Sequence, residues 1–387
     1  MASLRIGILT YHFSDNFGAL MQAYGLKAWL ASQGHHVEFI NYHPRHVEEG
    51  GDFVAPWNPR HAKANAKIAY LKLSMLQRRL FGNRGQAQAF EAFRRDELNI
   101  AGPRLSEKAT VETYLAGLAE PYDLIVVGSD QIWAASQQRG LDPVYFADFA
   151  IPPGTRKISY APSFGRATVD AAHRDTLRQL LGGLDGISAR ERSGGEIVRQ
   201  LTGRDVTSVP DPTLLLGDFS RAVAGAETTP SGHVFCYALR SGKGIREVAK
   251  WVGNTLGRDV ISPYNVHRRW PEIGQTVYPS PKGWVALIDR AGFVVTNSFH
   301  GTVFSILQRR PFLVVGLPGA RTSLNERTLN LLDEVGLRHR FVNNGDMAAA
   351  RSAFASPIDW DTVQRSLAAL QTAGRDYLAD QLSQSRK

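Results

Sequence analysis

The 387-residue chain has a single cysteine, Cys236. That excludes an internal disulfide framework and makes a reducing cytoplasm the expected compartment. No apolar run approaches the roughly 20 residues that a membrane helix needs. The opening stretch, Met1 to Thr10, reads as a strand running into polar Tyr11-His12, not as a secretory signal. No Cys/His cluster has zinc spacing; His35-His36 and the scattered other histidines are not a ligand set, so no metal is expected. The Asn16-Phe-Gly18 turn after the first strand is not GxGxxG, so the dinucleotide fingerprint is missing. Internal repeats and low-complexity tracts are missing too.

What is present describes a globular protein: 43% hydrophobic and 21% charged residues. The length exceeds one ordinary core and suggests two domains. Acidic residues fall short of basic ones, leaving a formal net charge of +9. Such a balance points to anionic partners, whether nucleic acid, an anionic membrane surface or phosphorylated substrates. The basic residues are scattered and lack aromatic interleaving, which argues against nucleic acid.

Leu4–Thr10, an amphipathic helix from about Leu20 to Leu30, and His36–Asn41 form a βαβ opening. From about 44 to 120 that pattern breaks into aromatic, proline and basic residues around helical stretches at Ile68–Phe81 and Gln86–Leu98. This reads as an insertion over the first domain, serving as a lid or binding loop or merely packing. Buried strands return at Leu124–Val127, Arg156–Ala161 and Gly186–Ala189, and Val206–Val209 with Asp211–Leu215 completes the first half. Gly, Pro, Ser and Thr crowd Gly217–Gly232, which marks the domain boundary. The first domain is thus 1–217, the second 218–359, and a helical segment at 360–387 is long enough to cross back onto the first.

The most informative stretch is Gly292 to Val315. Phe293-Val294-Val295 reads as a strand buried on both faces, Thr296-Asn297-Ser298 as helix caps, and Pro311 starts another strand. His300 and Gly301 then sit at a helix N-terminus on the carboxyl edge of a parallel sheet, where ligands bind and anions are favoured. A histidine there can hold an anion and move a proton. The plainer alternative is that Ser298 caps the helix and His300 is a polar residue in its first turn. At Gly128-Ser-Asp-Gln-Ile-Trp133, Asp130 reads as an N-cap or, with Gln131 and Trp133, as a way to hold a sugar by hydrogen bonds and ring stacking.

Two Rossmann-like domains facing a cleft describe the glycosyltransferase-B architecture. Within it, the sequence resembles the polysaccharide pyruvyl transferase family. The resemblance rests on Asn16-Phe-Gly-Ala-Leu-Met-Gln22, Gly128–Trp133, Tyr160-Ala-Pro-Ser-Phe-Gly165, Ile187-Ser-Ala-Arg-Glu-Arg-Ser193, Asp211-Pro-Thr213 and Ser298-Phe-His-Gly-Thr302, in that order. It implies transfer of the pyruvyl unit of phosphoenolpyruvate to two sugar hydroxyls, on a glycan or lipid-linked oligosaccharide, with no other cofactor. His300 matches the family's functional histidine and Arg190 its interdomain arginine, and Asp130 is the candidate to orient or deprotonate an acceptor hydroxyl. Donor binding falls to Arg190, Ser298, Gly301 and Thr302, and acceptor binding to Asn16, Gln131 and Trp133. Some members carry an arginine where this chain has Ser298, so Arg321 or Arg327 is expected to supply that contact. The implied place is the cytoplasm, with the inner face of the membrane a candidate contact. A nucleotide-sugar-dependent glycosyltransferase shares the architecture, but no acidic ribose-binding residue follows a Gly-rich turn here.

Overall fold

The computed structural model describes residues 3–48, 53–55, 57–136, 140–240, 242–264 and 273–385. Its first unit begins with β1 (Arg5–Leu9), α1 (Phe17–Ser32) and β2 (His36–Phe39). Helices α2 (Ala62–Phe81) and α3 (Arg84–Asp96) follow, and the sheet resumes with β3 (Leu124–Val127) and β4 (Arg156–Ser159). All pairings are parallel, in the order β2-β1-β3-β4. Every residue of β3 is buried, as an apolar run with no alternation requires when helices cover both faces.

Beyond β4 the strands shorten to β5 (Ser188–Ala189) and β6 (Thr207–Ser208), a parallel pair joined to β4 through a single bridge from Ile158 to Gly186. Helix α4 (Arg192–Thr202) runs between them. The stretch after β6 is the helix α5 (Pro212–Leu216), with Asp211 as N-cap and proline at its first position, where a missing N–H costs nothing.

The second unit contains β7 (Val234–Tyr237), β8 (Val260–Pro263), β9 (Gln275–Val277), α6 (Pro281–Asp289), β10 (Phe293–Thr296), α7 (Phe299–Leu307), β11 (Phe312–Val315), α8 (Glu326–Glu334) and β12 (Phe341–Val342). Its parallel sheet has the order β12-β11-β10-β7-β8-β9. The last helix, α9 (Trp360–Gln384), returns to the first unit: Gln371 donates to Leu214 O at 2.9 Å, and the Tyr377 hydroxyl donates to Ser159 O at 2.8 Å.

The units share a core. Phe17 of α1 stacks on Trp284 of α6 with centroids 5.4 Å apart, and Phe219 meets Phe304 edge-on at 4.9 Å. Helix α3 ties both: Phe90 and Phe93 are buried against the first unit, while Gln86 Nε2 donates to Pro279 O in the second.

Candidate active site

Chain geometry at the carboxyl end of β3 decides what the first unit presents. Gly128 has φ +131°, and a Cβ there would lie 2.0 Å from Tyr160 O, so only glycine fits. Asp130 follows in the left-handed region at φ +67°. Its Oδ1 accepts from Gln131 N at 2.8 Å and its backbone oxygen from Ser163 N at 2.9 Å, so the turn is held from both sides. Asp130 and Gln131 are half-buried.

Trp133 goes the other way and requires a correction. It is fully buried, stacked on Phe146 at 5.1 Å, with Nε1 donating to Tyr145 O at 2.9 Å. A ring with these partners is core and is not offered to a sugar.

The centre of the site is Asp211, a residue that opens a motif but to which the sequence alone assigns no role. Its Oδ1 accepts from Thr213 N at 3.0 Å and Thr213 Oγ1 at 2.7 Å. Oδ2 accepts from Arg190 Nη1 at 2.7 Å and lies 3.6 Å from His300 Nε2. Burial alone would raise this carboxyl. The neighbouring His300, then Arg190 and Thr213, outweigh burial and hold Asp211 far below the usual carboxylate range. Burial also raises the Tyr160 hydroxyl, reinforced by the nearby Asp211 charge.

Arg190 stands at the end of β5, buried, with Nε donating to Glu191 at 2.9 Å. Two carboxylates therefore hold its guanidinium, and among the described residues Nη2 alone of its nitrogens has no acceptor. Burial works against its charge, but Glu191 and Asp211 more than offset that and raise its pKa. Of the two arginines expected to replace the one missing at Ser298, Arg327 joins this cluster: its carbon Cζ is 5.8 Å from the Phe299 ring centre, and that of Arg190 is 4.7 Å. Burial and repulsion from Arg190 lower the pKa of Arg327, and its Nε is another buried donor without an acceptor among the described residues. Arg321 is exposed on the turn Gly319–Asn325.

His300, also buried, completes the group through an approach across the units. A Cβ on Gly18 would lie 2.1 Å from His300 Nδ1 and 2.8 Å from its Cβ. The N-termini of α1 and α7 thus face each other, with positive dipole ends on the same side as Arg190. The remaining expected donor ligands have structural work: Ser298 Oγ accepts from Gly301 N at 3.3 Å as the cap of α7, and Thr302 Oγ1 donates to Ser298 O at 3.0 Å. At Gly301 a side chain would lie 2.4 Å from Thr296 Oγ1. Asn16 is half-buried and caps α1, accepting from Ala19 N at 3.2 Å.

If His300 takes part in the reaction, Gly18→Ala is expected to lower turnover by about 10²-fold, the effect of displacing a group at the reacting centre by about an ångström, with the helix content unchanged. The displaced atoms belong to a buried ring and its Cβ, so no flexible tail can swing aside. Near-normal turnover in a folded variant would show that the contact does not position His300.

Two parallel α/β units meeting at their carboxyl edges around a cluster of buried charged side chains have the architecture of the glycosyltransferase-B kind. The chain belongs to the polysaccharide pyruvyl transferase family, whose model matches residues 16–317. All six motif segments fall in that range. No curated protein matches the sequence. The fold is similar to the UDP-GlcNAc 2-epimerase of Neisseria meningitidis bound to UDP-GlcNAc, 9% identical over 99% of this chain and 100% of that one, with a TM-score of 0.52. It is similar as well to the UDP-N-acetylglucosamine 2-epimerase of Rickettsia bellii, 10% identical over 100% of this chain and 98% of that one, with a TM-score of 0.50. At these identities the likeness shows the fold alone.

Proposed function

We propose that this enzyme moves the pyruvyl group of phosphoenolpyruvate onto two hydroxyls of one sugar, in a surface polysaccharide or its lipid-linked precursor, and closes a pyruvate ketal. One observation carries the reading: Arg190 Nη2 and Arg327 Nε are buried donors without a hydrogen-bond acceptor among the described residues, and His300, its Nε2 3.6 Å from Asp211 Oδ2, stands beside them. They belong to three separate segments gathered round the Phe299 ring. Buried donors are ordinarily satisfied, so an anion able to accept from several directions fits them. Phosphoenolpyruvate brings a phosphate and a carboxylate, both suited to guanidinium donors. Arg327, disfavoured as a cation by burial and by Arg190, gains most from such a partner.

In this reading His300 acts as general acid, giving a proton to the methylene carbon of phosphoenolpyruvate. The cationic centre left at the adjacent carbon takes one acceptor hydroxyl, whose proton passes to Asp130. The second hydroxyl then attacks the same carbon and gives its proton back to His300, the bond from that carbon to the phosphate oxygen breaks, and inorganic phosphate leaves with the proton that Asp130 had taken up. Asp211 orients the imidazole. Asn16 and Gln131, both half-buried, are the acceptor-side candidates that remain once Trp133 is set aside. The scheme asks for no metal. It draws on a cytoplasmic metabolite and so puts the enzyme in the cytoplasm.

The test is incubation with phosphoenolpyruvate and a set of candidate glycans. Release of inorganic phosphate is expected, together with a glycan mass gain equal to pyruvate less one water. Release of nucleoside diphosphate from a sugar nucleotide, with phosphoenolpyruvate left intact, would replace this reading by a glycosyltransferase.

A further inference from the structure

Helix α2 carries two apolar faces, and only one is covered. Ile68 is buried and Leu71 half-buried on the inner face. The outer face repeats at Ala62, Ala66, Ala69, Leu73 and Leu76, spaced alternately four and three residues apart, a continuous helical stripe. Leu73 and Leu76 are 65% and 52% exposed, and Tyr70 beside them is 54% exposed. Just before the helix, Trp57 is 96% exposed. At 3.6 residues per turn, Lys63 and Lys67 lie along one flank of the stripe and Lys72 along the other. Between residues 57 and 90 the chain has seven Lys or Arg and no Asp or Glu.

We propose that this face of α2 docks on the surface of an anionic lipid bilayer, with Leu73, Leu76 and Trp57 entering the interface and the flanking lysines meeting phosphate headgroups. The pattern is that of a helix lying in the membrane plane: an apolar stripe, a basic border and an interfacial tryptophan. Among the described residues no helix is long and apolar enough to cross a membrane, so α2 lies on the bilayer and does not span it. A second copy of the chain is the competing occupant. Paired helices use opposite flanking charges, and this segment can offer only positive ones, so self-pairing would set like charges side by side. Charge complementarity selects the lipid.

Docking here bears on the site without depending on the proposed reaction. Helix α3 follows α2, and its Arg94 donates to Phe13 O at 3.2 Å and to Asp15 at 3.0 Å, at the loop leading into α1 and Gly18. A bilayer-bound α2 would therefore hold that side of the first unit close to the membrane, where a lipid-linked acceptor would reside.

The experiment is co-sedimentation of the full chain, without any substrate, with vesicles of phosphatidylglycerol and phosphatidylcholine or of phosphatidylcholine alone. Binding is expected only to the anionic vesicles, and it should weaken as salt is raised. The double change Leu73→Glu and Leu76→Glu should lower the partition coefficient by about tenfold or more, as should Lys63→Glu with Lys67→Glu. Both pairs are exposed, so thermal unfolding should be unchanged, and so should turnover with a soluble acceptor. Equal binding to neutral vesicles, no binding at all, or variants that bind as well as the parent would overturn the proposal. So would a dimer in solution that the Leu73→Glu, Leu76→Glu chain cannot form, since that would assign the face to a second copy. Because the vesicle assay contains no donor, failure of the pyruvyl transfer reading would leave its outcome untouched.

Discussion

His300→Gln is expected to lower turnover by about 10²–10⁴-fold while the protein stays folded, the usual share of a general acid or base. Glutamine keeps a polar head of similar reach, so a residue that only held an anion or filled the first turn of α7 would tolerate it. What glutamine cannot do is carry and release a proton near neutral pH. The arrangement around the ring favours the larger effect. His300 is buried, its Nε2 lies 3.6 Å from a carboxylate that is itself fixed by Arg190 and Thr213, and its other nitrogen abuts Gly18. A third group orienting a base is the general pattern of an activated acid–base residue. The readouts are turnover with phosphoenolpyruvate, the apparent donor constant and the unfolding midpoint. A glutamine variant with near-parental turnover would leave His300 as a binding residue at most, and a variant that simply unfolds would be followed by Gly18→Ala, which moves the ring without removing it.

The interface explains why these residues come from two units. Neither sheet alone brings a carboxylate, a histidine and two arginines together: Asp211 and Arg190 belong to the first, His300 and Arg327 to the second. The hydrophobic seam of Phe17, Trp284 and Tyr237 fixes the units against each other beside this cluster, with Phe17 5.4 Å from Trp284 and 6.0 Å from Tyr237. The two residues Phe17 and Gly18 of one motif therefore do different work, one packing the seam and the other making room for the histidine.

Much of this is legible in the sequence, for definite reasons. Unbroken apolar runs such as Leu124–Val127 and Phe293–Val295, too short for a helix and rich in β-branched side chains, read as strands with both faces covered, and so the parallel sheets can be anticipated. The helix after Thr296-Asn297-Ser298 announces itself through its cap, and Ser298 is that cap. Asp211–Leu215 is harder, because an apolar stretch of that length fits a strand or a helix; the Asp-Pro start is the signal for a helix. Strand β5 lies within the run Gly186–Ala189 that reads as a strand, and β6 within Val206–Val209, but each pairs over only two residues, a length that shows no period. Trp133 is misread from sequence because the left-handed turn at Asp130 redirects the chain, and no spacing rule says to which side. The contact between Gly18 and His300 joins the two ends of the fold. It leaves only an indirect trace, a glycine early in a helix where glycine is otherwise unfavourable.

Asp211→Asn is expected to cost about 3–5 kcal/mol of stability, the usual result of breaking a buried charged cluster by removing one member. The change looks conservative and is not. Both oxygens of Asp211 accept: Oδ1 from the Thr213 backbone and hydroxyl, Oδ2 from Arg190 Nη1. An amide offers one acceptor and one pair of donors, so whichever way it turns, an N–H faces another N–H or hydroxyl proton. Arg190 would then depend on Glu191 alone, and His300 would lose the carboxylate that orients it, so turnover should fall along with stability. The pH dependence has a definite sign. The folded pKa of Asp211 lies below its unfolded value of about 3.9, so its contribution is complete above that value and is lost as pH falls further. The gap in unfolding free energy between the parent and the Asp211→Asn chain should therefore be full near neutrality and narrow below about pH 4 as the parent carboxyl protonates. Urea unfolding at a series of pH values measures it. A gap under about 1 kcal/mol at pH 7 would mean that the substituted amide finds satisfied geometry after all, and a gap that widens in acid would mean that the carboxyl is protonated more readily in the folded chain than in the unfolded one.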